Sequence, residues 1–195
     1  MNATTLEHVK EWMHEAGAGR EIDGRLEELL PAVSAAIESM LHTELERKRR
    51  VEFPEIVLGA RILRLAVRPV SKVSSVRYSA FRNFEDNYSE LAEGEWWTLS
   101  KDAGILTFDN ALETDRQGVV RVEYTGGYAA TAEEMRSAAP DIAQAACMWV
   151  ADWMDRGYSI SARGRQFADG SFSQDFASRV PLAVMALLNP GSHVG

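Results

Sequence analysis

Cysteine is almost absent from these 195 residues: Cys147 is the only one. A single thiol cannot close an internal disulfide, so the chain reads as a protein of a reducing cytoplasm rather than a secreted one. Also lacking is any apolar run approaching the roughly 20 residues a membrane helix needs, so no membrane partner is expected. The N-terminus, MNATTLEHVKEWM, has neither a basic start nor an apolar stretch, and no signal peptide is expected. Histidine is sparse, at four residues, and no HExxH or Cys/His cluster occurs. Cys147, mid-helix with no histidine near it in sequence, reads as a small buried or half-buried hydrophobe rather than a nucleophile. The P-loop lysine, the three spaced glycines of a dinucleotide site and the Gly-x-Ser-x-Gly elbow are all missing. No cofactor or metal is expected, and no catalytic residue can be nominated.

An overall excess of positive charge is lacking too. The chain carries a net charge of −8, with 46% hydrophobic and 26% charged residues. That argues against a protein that coats nucleic acid with its whole surface. What charge there is lies unevenly. From Arg47 to Arg82 there are ten Lys/Arg and two Glu, a net of +8, which leaves −16 for the remainder. Arg47, Lys48, Arg49 and Arg50, with Arg64 and Arg68, are the candidate site residues. They read either as a solvated helix end plus the outward face of a strand, or as a band facing phosphate or an acidic neighbour. Phe53 is the only aromatic residue between Arg47 and Arg77. Contact with double-stranded DNA would therefore be electrostatic and indifferent to sequence.

Periodicity divides the chain. Thr4 and Glu7 form a capping box for a first helix with Leu6, Val9 and Met13 on one stripe, ended by Gly17 and Gly19. A second helical pattern starts near Asp23 and runs through Leu26, Leu29, Leu30, Val33, Ile37, Met40, Leu41 and Leu45. Pro31 interrupts its hydrogen bonding but not its phase, which predicts one bent helix ending in ELERKRR. The period then drops to two. RILRLAVRPV, VSSVRY (73–78), EWWTL (95–99), GILTF (104–108) and GVVRVEY (118–124) are strand candidates, and residues 81–94 read as a long loop. Thr131 and Glu134 form a second capping box, and Pro140 suits the first position of a helix striped by Ile142, Ala145, Ala146, Trp149, Val150 and Trp153. Gly157 is expected to close it. Residues 158–179 lack periodicity, and a short helix, PLAVMALL, follows from Pro181.

Between the last strand and that Ala/Trp helix stands TGGYAA, Thr125 to Ala130. It has no lysine, and acids fill the helical turn that follows, where they would repel a phosphate. The pair is expected to serve a turn, with positive φ at Gly126 or Gly127.

The order of these phrases resembles the head–tail connector family of tailed bacteriophages, also called head-completion or adaptor proteins. That family has a strand ending V-x-Y-x-x-G-Y, matched by Val122, Tyr124, Gly127 and Tyr128. It has a helix ending in an aromatic-acidic-Arg phrase, matched by Trp153 to Arg156. A late proline and a Leu-Leu-x-Pro close it, matched by Pro181, Leu187, Leu188 and Pro190. The match spans nearly the whole chain, except that the family's basic or aromatic tail is replaced by GSHVG.

The expected fold is α+β and mainly α: a helical bundle of two N-terminal helices, one helix central to the C-terminal half and a short terminal helix, with a small antiparallel sheet inserted. As one connector domain, residues 1–50 would hold the N-terminal helices, 51–125 the sheet, 131–157 the core helix and 158–195 a flexible segment and arm. The resemblance implies a non-enzymatic virion protein of the neck, assembled in the bacterial cytoplasm. It would form a homo-oligomeric ring of about twelve copies on the portal protein. DNA would pass through the centre, and a stopper or tail-completion protein would follow. The arm would be Val180, Pro181, Leu182, Val184, Met185, Leu187 and Leu188. The alternatives are another neck ring, such as a stopper or tail terminator, or, further off, a small enzyme or a non-specific DNA binder.

Overall fold

A computed structural model describes residues 1–14, 20–54, 59–79, 89–112, 120–163 and 180–188. The chain forms two compact units, Met1–His42 with Thr131–Gly195, and Thr43–Ala130.

The first unit is helical: α1 (Leu6–Trp12), α2 (Arg20–Leu41), α3 (Ala132–Ala138), α4 (Pro140–Arg163) and α5 (Leu182–Leu188). Helix α4 is its hub and packs on the other four. Of the stripe expected on α4, Ile142, Ala145, Ala146, Trp149 and Val150 are at 4% exposure or less while Trp153 is half-buried, and Ala143 is buried beside them. Alanine at this density keeps side chains short, so neighbouring helices can approach closely. Leu26, Leu30, Val33 and Ile37 of α2, Val9 of α1, Met135 of α3 and Val184 of α5 supply the opposing surfaces. Helix α2 runs through Pro31 as one element. One turn on, the Ser34 hydroxyl donates to Leu30 O (2.6 Å) and accepts from Ala3 N (2.9 Å), which ties the N-terminus to α2.

Capping follows the sequence in one case and moves by a residue in the other. Thr131 caps α3 as expected, its Oγ1 accepting from Glu134 N at 3.1 Å. At α1 the cap is Thr5, accepting from His8 N, while Thr4 is buried and turned inward. Pro140 opens α4 as expected, but the helix continues past Gly157 to Arg163. The loop assigned to 158–163 is thus corrected to helix, because one glycine costs only about 1 kcal/mol inside a helix. Residues 164–179 and Pro190 lie outside the described residues.

The second unit is built from β1 (Lys48–Glu52), β2 (Ile62–Arg64), β3 (Val70–Tyr78), β4 (Ser89–Glu90), β5 (Trp97–Ser100), β6 (Ile105–Phe108) and β7 (Val120–Gly126). They make two antiparallel sheets, ordered β1-β7-β3-β4 and β2-β6-β5. One core joins them: Val70, Val76, Val120, Val122 and Tyr124 from the first, with Leu63, Trp97, Leu106 and Phe108 from the second. RILRLAVRPV forms a strand over Ile62–Arg64 and its last residue, Val70, opens β3, while Leu65 and Val67 between them remain buried. The loop expected at 81–94 contains β4 at 89–90, and 81–88 lie outside the described residues.

These findings overturn a mainly helical bundle with a small inserted sheet. Seven strands in two sheets stand beside five helices among the described residues. The largest correction lies at ELERKRR. Helix α2 stops at Leu41, where His42 takes a left-handed φ of 51°, and Lys48–Glu52 is a strand paired to β7. Glu, Lys and Arg are good helix formers, and Leu45 keeps the helical phase. Tertiary pairing overrides that propensity, since Leu45 is fully buried without being helical.

Candidate functional site

Strand β1 carries three of the six candidate cations and Arg47 directly precedes it, and each of these four is already engaged within the sheet unit. Arg47 bonds its backbone N to Ala129 O (2.7 Å) and reaches Tyr128 O with Nη1 (3.5 Å). Lys48 Nζ pairs with Glu44 and Glu46 at 3.3 and 3.2 Å, and their carboxylates raise its pKa, Glu46 most. Arg49 meets Glu123 across the strand pair, and Arg121 holds the other oxygen of that carboxylate at 2.7 Å. The hydrogen bond from Arg49 is the main reason the Glu123 carboxyl sits below the usual range. Arg50, mostly buried, grips Glu44 with both terminal nitrogens and lowers its pKa in the same way.

Arg64 and Arg68 have a different setting. Arg64 is exposed on the outer face of the second sheet, beside Ile62, which is 64% exposed. The turn between β5 and β6 folds back onto this segment, with Leu65 N donating to Gly104 O (2.8 Å) and Val70 N to Lys101 O (2.9 Å). A side chain at Gly104 would lie 3.2 Å from Arg68 Cβ. Arg64, Arg68 and Lys101 thus gather around one turn, with Lys72 following on β3, and none has an ion pair among the described residues. Among the described residues the basic band divides into a half in and beside β1 held by acids or a backbone carbonyl and a half at this turn without ion pairs.

The V-x-Y-x-x-G-Y phrase is structural. Tyr124 is 1% exposed, and its hydroxyl donates to Glu52 Oε2 (2.7 Å) and accepts from Val67 N (3.3 Å). Burial first, and the bond to Glu52 second, push its pKa up. Glu52 also accepts from Ala66 N at 3.1 Å. A Cβ on Gly126 would fall 2.8 Å from the Tyr124 ring and from Val67 O. Gly127 has φ of 113°, and a Cβ there would lie 2.3 Å from Glu46 O. TGGYAA therefore needs both glycines, one for close approach and one for positive φ as well, and neither serves a phosphate.

The arm residues form a short two-faced helix. Val180 and Pro181 are half-buried, and Pro181 O accepts from Met185 N. Val184 and Leu188, one turn apart, are buried, and Leu187 is half-buried. Leu182 is 82% exposed and Met185 39%, so the outer face is apolar.

Sequence reasoning missed one cluster. Thr4 Oγ1 lies 2.8 Å from His8 Nδ1 and 3.5 Å from Cys147 Sγ, and that sulfur lies 3.7 Å from the same nitrogen. No short-range signal could link positions 139 residues apart. Burial pushes the Cys147 thiol up, while burial and then the charge of Arg136 push His8 down. Both groups favour their neutral forms, which is the opposite of an activated thiolate–imidazolium pair. Among the described residues no group of three metal-ligating side chains occurs, and no helix is long and apolar enough to cross a membrane.

Among the described residues the features that stand out are charged and apolar surfaces. The chain belongs to the head completion protein family, whose sequence pattern matches residues 2–190. Its role is structural, in the connection between head and tail of a phage-type particle. Its fold is similar to a chain in the neck of an empty GTA particle computed with C6 symmetry. That likeness has a TM-score of 0.52 at 24% identity and covers 90% of this chain and 79% of the other. A chain of the native GTA neck computed with C12 symmetry gives 0.49 at 24% identity, covering 85% and 80%. In the virion of the native gene transfer agent a chain gives 0.48 at 23%, covering 90% and 79%. No curated protein sequence matches closely enough to add to this.

Proposed function

We propose that copies of this chain form a ring in the virion neck, seated on the portal, with the stopper or tail on the far side and double-stranded DNA passing through. The observation that carries this reading is the family match over nearly the whole chain. The fold likeness to a neck chain in a particle computed with rotational symmetry supports it. The protein acts by shape and surface, without catalysis. Assembly takes place in the bacterial cytoplasm, and the ring is about twelve copies.

Helix α5 is the portal-docking element in this reading. Its inner pair, Val184 and Leu188, anchors it, and its outer pair, Leu182 and Met185, is free for a partner. An exposed apolar pair on a short helix suits the anchoring of a groove-bound helix. The test is capture of purified portal by the full chain, followed by electron microscopy of the complex. Rings on the portal are expected for the natural chain, and Leu182→Asp with Met185→Asp should abolish capture while leaving the circular dichroism spectrum unchanged. A natural chain that never binds portal and never forms rings would overturn the reading.

A further inference from the structure

Resting on the ring reading above, we infer that the free basic turn of the sheet unit docks into an acidic groove on the helical unit of a second copy. The turn presents Arg64 and Lys101 without ion pairs among the described residues, beside the exposed side chain of Ile62. The groove, about 530 Å³, is lined by the carboxylates of Glu7, Glu27 and Glu133 and by the apolar Leu6. None of those three carboxylates has an ion pair among the described residues. Asp23, also in the groove, is held by Lys10.

The charges of the two units fit this pairing. The helical unit contains 8 Lys/Arg against 15 Asp/Glu, and the sheet unit 13 against 14. Within the sheet unit the acids Glu44, Glu46 and Glu123 are spent on β1 and its neighbour Arg121, which leaves the β5–β6 turn positive. A positive projection carrying an isoleucine suits a protein groove with an apolar wall better than a phosphate backbone, which offers Ile62 nothing to bury against. Asp102, next to Lys101, also disfavours a polyanion. Because the two surfaces differ, the contact is head-to-tail, the type that closes into rings when its rotation divides a full turn. Complementary charge of this kind sets register and encounter rate, and it weakens with salt.

The test uses the full chain in three variants: Arg64→Glu with Lys101→Glu, Glu27→Lys with Glu133→Lys, and all four together. Self-association is followed by sedimentation velocity between about 50 and about 500 mM salt. Carbodiimide cross-linking of mixed isotopically light and heavy chains, read by mass spectrometry, locates intermolecular Lys–Glu links. Each double variant should weaken association about tenfold or more, and the fourfold variant should recover it. Links from Lys101 of one copy to Glu27 or Glu133 of another are expected in the natural chain.

Association equal in all variants would overturn this inference while leaving the ring reading intact, since rings would still form by other surfaces. A natural chain that neither associates nor cross-links at these residues would overturn it as well. In that case rings on the portal remain the separate test of the ring reading. Duplex DNA binding that is lost in Arg64→Glu with Lys101→Glu and stays lost in the fourfold variant would assign the turn to DNA and overturn the inference.

Discussion

The two units solve the problem of holding together by different means. The helical unit relies on an apolar hub: α4 presents alanines and tryptophans, and four other helices lay one stripe each against it. The sheet unit joins two small sheets through one apolar core and ties its strands with charged, part-buried side chains, where the buried ties of the helical unit at Ser34 and Thr4 are neutral. Tyr124 links β7 to Glu52 of β1 and to the chain at Val67, and Arg50 is clamped by Glu44. A helix satisfies most of its own backbone, so the helices pack mainly by apolar faces. Short strands leave more backbone groups to satisfy, and side chains such as Glu52 and Tyr124 complete the accounting.

Four substitutions or conditions break or sharpen that comparison. Gly127→Ala should have the largest effect, about 4 kcal/mol of lost stability, because a methyl there meets Glu46 O in a backbone already at positive φ. Hydrogen exchange should show β1, β3 and β7 opening first. Tyr124→Phe keeps the ring and removes the hydroxyl, leaving Val67 N and the Glu52 carboxylate short of a partner, and should cost about 2 kcal/mol by denaturant titration. In the helical unit, Thr131→Ala removes one cap and should cost about 1 kcal/mol, with Ser restoring most of it.

The smallest effect is one of pH. His8 is held below its ordinary 6.5, chiefly by burial, then by Arg136, with Glu11 opposing. A depressed folded value means that the unfolded chain takes up the proton first. The contribution of His8 is therefore full above about pH 6.5 and drains as pH falls through the lower folded value. Thr4 and Cys147 are the other groups that face the ring. Exchange of α1 amides, corrected for intrinsic pH dependence, should rise on acidification, and His8→Gln should flatten the response.

Much of the helical unit was legible because its signals are local and periodic. The α4 stripe, Pro140 at its start and the Thr131 cap depend only on neighbours within a turn or two. Four of the strands fell where alternation placed them, at β3, β5, β6 and β7. Strand β1 was hidden, since KRRVE has the composition of a helix end and becomes a strand only by pairing with β7. The division into two sheets was hidden for the same reason, as strand order is a matter of long-range register. In the candidate site, sequence put six cations into one band but could not tell which had acids waiting. Glu123 lies 74 residues from Arg49, and only the fold brings them together.

The lacing at the margins of the sheet unit has a consequence for how such proteins diversify. Leu45 O accepts from both Tyr128 N and Ala129 N, and Arg47 N returns a bond to Ala129 O. The chain therefore arrives and departs at one spot, stitched shut by main-chain atoms that Gly127 allows to approach. A segment with coincident ends behaves like a cassette. Its inner loops can be lengthened or shortened while those main-chain ties hold the two ends together.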